Sequence, residues 1–89
     1  MKSRITEEFR ELFAALPEAV RRQARAAFRK FNRNPAHPSL SFKRVCNDPS
    51  ALSARVGKKS RALAYVEKDV AAWFWIGSHA EYDQILKRL

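Results

Sequence analysis

The side chains of this 89-residue chain whose type and spacing could do chemistry are its histidines and an uneven set of arginines and lysines. His79 stands in the run Ser78-His79-Ala80-Glu81, where a serine and a glutamate three residues later form a capping box at a helix start. The imidazole then lies in the first helical turn, at the positive end of the helix dipole. Beside a basic groove such a ring can act as a general base, or in the reverse role donate a proton. The alternative is an exposed histidine with no chemical role. His37, in a loop between Pro35 and Pro38, reads as structural.

The cations are clustered. No acidic residue occurs between Ala19 and Asn47, yet Arg21, Arg22, Arg25, Arg29, Lys30, Arg33, Lys43 and Arg44 all fall there. Arg21, Arg25 and Arg29 recur every four residues, on one helical face. Each like-charge pair at that spacing costs roughly 0.2–0.5 kcal/mol, so the stripe weakens the isolated helix by on the order of 1 kcal/mol. A bound polyanion would reverse the sign; a solvated face is the alternative. Lys58 and Lys59 lie at a hairpin turn, where they either protect a sheet edge or bind an anion. Arg55 and Arg61 fall inside strands, where a charge must find a partner or face a groove. Alternation puts Arg55 on the face opposite Leu52, Ala54 and Val56, a placement suited to phosphate contact.

Other chemistries find little support. His37, Cys46 and His79 lack close metal-ligand spacing, and no Gly-x-Ser-x-Gly elbow occurs, so neither a metal nor a small-molecule cofactor is expected. Trp73, Phe74 and Trp75 could stack on bases, but in a central strand they read as core.

The elements that must position these groups follow from periodicity. Phe9, Leu12, Phe13 and Leu16, with Ile5 a turn earlier, give a helix from Thr6 as N-cap to Leu16, stopped by Pro17. Val20, Ala24, Ala27, Phe28 and Phe31 make the buried stripe of a second helix from about Glu18 to Phe31. The pair forms an antiparallel hairpin. After Pro38 the period becomes two. A first strand runs from Leu40 to about Val45, and Asn47-Asp48-Pro49-Ser50 is a turn. Leu52, Ala54 and Val56 mark a second strand, Arg61 to Val66 a third, and Val70 to Ile76 a fourth with apolar residues for both faces. Tyr82, Ile85, Leu86 and Leu89 form the apolar side of a short C-terminal helix. Helices, then a strand meander, then a helix define an α+β single domain over residues 1–89.

Composition bounds the function class. A net charge of +9 attracts nucleic acid, ribosome, acidic protein or anionic lipid, and excludes a near-neutral protein. The single cysteine, Cys46, has no internal disulfide partner, which suits a reducing compartment. Charged residues precede any apolar run at the N-terminus, against an ordinary signal peptide. The apolar run Val70–Ile76 is far short of the roughly 18 residues of a membrane span. A soluble cytoplasmic protein with no membrane partner is expected.

Three stretches, Asn34 to Val45, Arg55 to Leu63 and Trp73 to Asp83, together resemble toxins of the RelE/ParE type, in the same order and over nearly the whole chain. They look most like the subgroup termed plasmid-stabilisation or cytotoxic translational repressor proteins. The most specific part is the ending Trp75-Ile76-Gly77-Ser78-His79-Ala80-Glu81-Tyr82. The resemblance implies two N-terminal helices on a twisted antiparallel sheet of about four strands, with Lys2 to Ile5 as a further short strand. It implies a toxin–antitoxin system, with an acidic cognate antitoxin as partner. Members of this fold either cut mRNA in the ribosomal decoding site without metal, or inhibit DNA gyrase. The first implies ribosome and mRNA as partners; a non-catalytic basic binding module of the same fold is a third alternative. On the ribonuclease branch the resemblance gives His79 the acid or base role, with Tyr82 as the alternative. It matches Arg61 to a third-strand arginine, and Lys43 or Arg55 to groove cations. Ser60 stands where many relatives carry an aromatic. The full phosphate-binding set expected is Arg21, Arg25, Arg29, Lys43, Arg44, Arg55, Lys58 and Lys59, converging from hairpin and sheet on one trough with the His79 imidazole at its lip.

Overall fold

A computed structural model describes residues 1–45 and 50–88, so Cys46, the turn signal at Asn47-Asp48-Pro49 and the expected apolar contact of Leu89 lie outside the described residues. The chain order is β1 (Lys2–Ile5), α1 (Glu7–Ala14), α2 (Glu18–Arg33), a 3₁₀ turn (Pro38–Leu40), β2 (Lys43–Arg44), β3 (Ala51–Gly57), β4 (Ser60–Glu67), β5 (Val70–Ser78) and α3 (His79–Leu86). The five strands form one sheet in the order β1-β5-β4-β3-β2. The meander is antiparallel as expected, and β1 joins its edge in parallel register with β5, Lys2 opposite Val70 and Ile5 opposite Trp73.

Local signals account for the helix boundaries. The Phe9 N–H donates to the Thr6 hydroxyl at 3.1 Å, and Glu7 and Glu8 complement the dipole of α1. That helix ends at Ala14, two residues before the expected Leu16. Pro17 forbids continuation, and the Ala15 N–H closes the last turn on Glu11 and Leu12. α2 runs two residues past Phe31, to Arg33, because Asn34 rather than Asn32 leaves helical geometry.

The helical hairpin covers one face of the sheet. Phe9, Ala24, Ala27 and Phe31 pack with Leu40, Ala54, Val56, Ala62, Ala64, Ala71, Trp73 and Ile76 in the larger core. Trp73 is its centre, with edge-to-face contacts to Phe28 at 4.9 Å and Phe31 at 5.1 Å. Its indole N–H donates to Ser3 Oγ, which donates to Asn32 Oδ1, so β5, β1 and α2 are joined by one polar chain. Ile5 and Leu12, expected on the buried face, remain 47% and 36% exposed. Ile5 belongs to the edge strand, and Leu12 lies off the arc of α1 that reaches the sheet.

The opposite face, called here the far face, carries a smaller core of Val45, Ala51, Leu63, Trp75 and Tyr82, roofed by Ile85 and Leu86 of α3. A bulge explains how β5 serves both faces. Leu63 pairs with Trp75 and Ala64 with Trp73, leaving Phe74 as the extra residue. Phe74 and Trp75 therefore both belong to the far face, and Phe74 stacks on Tyr65 at 4.4 Å.

The expected first strand from Leu40 to Val45 is corrected. Pro38 starts a 3₁₀ turn capped by the His37 ring, and Ser41 leaves it in the left-handed region at φ 45°. Only Lys43 and Arg44 pair, with Ser53 and Leu52. Leu40 and Phe42 share a core without being a strand, so an alternation of two apolar residues was too short to fix the conformation.

Candidate nucleic-acid interface

Register decides which cations share a face, because directly opposed residues project to the same side. On β3 and β4 Arg55 is paired with Arg61, and Arg61 in turn with Gly77 of β5. This row belongs to the far face, one step along from Ser53, Leu63 and Trp75, and Lys43 is opposite Ser53. Lys43, Arg55 and Arg61 thus share the face that carries α3, Arg61 on the strand next to β5 and the other two farther along the sheet. Two arginines directly opposed repel each other. Neither has an ion pair among the described residues. Arg61 is half-buried, and its Nη1 is buried with no hydrogen-bond partner among the described residues. A buried unsatisfied guanidinium nitrogen costs free energy that an anion would restore.

Ser78 and Glu81 place the imidazole. The Glu81 N–H donates to Ser78 Oγ at 3.1 Å, and the Ser78 N–H donates to Glu81 Oε1 at 3.0 Å, which completes the capping box. The backbone hydrogen bond from Ser78, then the Ser78 hydroxyl, hold the Glu81 carboxyl below its ordinary value, against a small opposing effect of burial. The His79 N–H donates to the Lys59 carbonyl at 2.7 Å, fastening α3 to the β3–β4 turn. The ring is 48% exposed, with Nδ1 3.4 Å from Asp83 Oδ2 and its edge against Tyr82. A carboxylate beside Nδ1 orients the ring and leaves Nε2 without that partner.

Asp83 is a functional candidate that sequence reasoning missed, although its spacing of four from His79 on one helix was legible. Gly77 is another. A Cβ there would stand 2.7 Å from Trp75 Cζ2 and 3.1 Å from Glu81 Oε1, so the glycine leaves room for the indole against the backbone. Tyr82 is only 7% exposed and packs with Trp75 and the far-face core. Its ring supports His79 from beneath.

The expected single trough is corrected. Arg21, Arg25 and Arg29 belong to α2, which packs on the face opposite α3, so they do not converge with His79. Two of them have structural work. Arg21 Nη1 donates to the carbonyls of Leu16 and Ala14 at the end of α1, and Arg25 lies over the Phe13 ring at 5.4 Å. Arg44, opposite Leu52, points with the hairpin side. Lys58 borders a cleft on that side too, and Arg55, at the open edge of β3, lines the same cleft. Lys59 is exposed beside α3, to which its carbonyl is bonded. Among the described residues no three of His, Cys, Asp and Glu lie close enough to hold a metal ion, and no helix is long and apolar enough to cross a membrane.

A sheet with a helical hairpin on one face and a short C-terminal helix on the other is the architecture of RelE/ParE-type toxins. Residues 18–84 match the ParE-like toxin domain, and the chain belongs to that family. Solved structures agree in fold. The RelB-RelE antitoxin-toxin complex from Methanococcus jannaschii contains a chain similar with a TM-score of 0.75 at 10% identity, over 92% of this chain and 96% of that one. A YoeB/ParE toxin from Agrobacterium tumefaciens is similar at 0.70 with 14% identity, over 89% and 99%. The isolated RelE toxin of E. coli is similar at 0.68 with 16% identity, over 98% and 96%. No curated protein has a significant sequence match.

Proposed function

We propose that this chain is the toxin of a toxin–antitoxin pair and acts as an mRNA endoribonuclease on the ribosome. The observation that supports this best is the opposed pair Arg55 and Arg61 on the face that carries α3, with Nη1 of Arg61 buried and without a partner among the described residues; the His79 ring, set against Asp83, opens that helix. In this reading the scissile phosphate sits on the arginine row. The ribose 2′-oxygen bonds to phosphorus, the bond from phosphorus to the 5′ oxygen breaks, and a cyclic phosphate and a 5′-hydroxyl result. His79 makes one of the two proton transfers, removing the 2′ proton or protonating the departing 5′ oxygen. Arg61 and Arg55, with Lys43 beside them, stabilise the charge that grows on the phosphorane. Asp83 orients the imidazole, and Tyr82, the alternative proton-transfer group, supports it. Three of the solved structures similar to this chain are toxin–antitoxin complexes, which supports an antitoxin partner here. The apolar cleft of Ile5, Phe9, Phe13, Phe28 and Trp73, edged by Arg10 and Arg25, has the character to take an acidic amphipathic segment.

The test is cell-free translation with mapping of RNA 5′ ends. The wild-type protein should cut mRNA in translating ribosomes, and His79→Ala should lower cutting by about 100-fold or more while leaving the fold intact. Full cutting by His79→Ala would remove that residue from the mechanism and make Tyr82→Phe the next variant. The match to a ParE-like domain favours one other reading, a gyrase inhibitor without catalysis. That reading expects DNA cleavage complexes with normal translation. A purely binding module expects neither.

A further inference from the structure

β2 pairs only with Leu52 and Ser53, so from Arg55 to Gly57 the sheet has an open edge. There α2, the 3₁₀ turn and the β3–β4 turn enclose a cleft of about 230 Å³, lined by Lys30, Ser39, Leu40, Arg55, Gly57 and Lys58 among others, with no carboxylate in its wall. Its polar groups are held in place. Ser39 Oγ lies 2.8 Å from His37 Nδ1 and 3.5 Å from Lys30 Nζ, and the Ser39 N–H donates to the same Nδ1 at 3.2 Å. With that nitrogen as acceptor, the hydroxyl donates to the ring and accepts from the ammonium, which keeps further N–H groups for a ligand. Lys30 and Lys58 have no ion pair with any described residue, and Arg55 lines the cleft only from the strand edge, its side chain being directed to the far face.

We propose that this cleft is a second anion site, which holds a backbone phosphate of single-stranded RNA on the opposite side of the sheet from His79. Two lysines and a fixed hydroxyl match phosphate oxygens, and the Leu40 side of the wall suits a ribose. The turn that brings Lys58 to the cleft also anchors α3 through the Lys59 carbonyl, so an RNA strand passing over this turn touches both sites. The inference deepens the ribonuclease reading and rests on it only for RNA as the polymer.

The experiment uses a 2′-O-methylated RNA oligonucleotide, which lacks the attacking hydroxyl and is not cut. Binding is followed by amide chemical shifts and by anisotropy at several salt concentrations. The amides of Ser39, Gly57 and Lys58 should move. Lys30→Gln and Ser39→Ala should each weaken binding, the lysine variant by about tenfold. The lysine variant should also flatten the salt dependence by roughly 0.7 in log–log slope. Lys30 is exposed on α2, so its variant should keep the wild-type melting curve. Unchanged affinity and slope in both variants, or cleft amides that respond to inorganic phosphate but not to the RNA, would overturn the proposal. Because the probe is not cut, failure of the catalytic reading appears separately, as normal mRNA cutting by His79→Ala.

Discussion

At the scale of single residues, Arg61 is where stability and function pull apart. Its Nη1 is buried with no partner among the described residues, and its cross-strand neighbour is another arginine. Replacing a buried, poorly compensated charge by an apolar group of similar length is often neutral or stabilising. Arg61→Met should therefore leave the urea midpoint unchanged or raise stability by about 1 kcal/mol, while RNA binding and cutting fall. A loss of more than about 1 kcal/mol would instead make the guanidinium part of the scaffold. Glu81 gives a pH-dependent counterpart. Its carboxyl is held below the ordinary value in the folded chain by the Ser78 hydrogen bonds, so the charged form is the one stabilised. The sign follows from linkage. The contribution is present above the unfolded glutamate value of about 4.3 and is lost as pH falls through the lower folded value. In Glu81→Gln the fall of melting temperature with acidification in that window should be shallower than in wild type. The carboxyl is solvent-exposed, so the difference should be small and further reduced by salt.

At the scale of elements, the end of β5 and the start of α3 form one unit. Trp75 folds back over Gly77, Ser78 caps the helix, and His79 ties it to the Lys59 carbonyl. Gly77→Ala puts a methyl group within 2.7 Å of the indole, so Trp75 must shift in a packed layer. The expected cost is about 1–3 kcal/mol in chemical denaturation, with reduced cutting because α3 moves with it. A wild-type midpoint in Gly77→Ala would show that the ring relocates freely. The β4–β5 hairpin offers the opposite change. Lys68 and Asp69 hold φ of 48° and 65° in a two-residue turn, a conformation that suits Asn-Gly better. Lys68→Asn combined with Asp69→Gly should raise stability by about 1 kcal/mol, read from thermal melts, without altering RNA cutting.

At the scale of the molecule, a charge of +9 is divided between two faces by the sheet. Polyanion binding should weaken steeply with salt. Arg29→Ala, on the hairpin side, should lower general affinity without changing the rate of cutting of bound mRNA, in single-turnover assays that separate the two. Periodicity and capping made much of this arrangement legible in the residues: both helices, the three long strands, the box at Ser78 and Glu81, and the assignment of Trp73 and Trp75 to the core. They were legible because each is a local matter of spacing and backbone hydrogen bonding. The directions of Arg55 on β3 and of His79 at the start of α3 were legible too, since strand alternation and helix capping are local. The side of the sheet on which α2 packs relative to α3 is a long-range choice that no local spacing encodes, and it took Arg21, Arg25 and Arg29 away from the imidazole. The pairing of Arg55 with Arg61, the bulge at Phe74 and the cleft beside Ser39 likewise exist only once distant segments are in register. The chain specifies its elements through short-range hydrogen bonds and hydrophobic period; tertiary packing alone decided which charges meet.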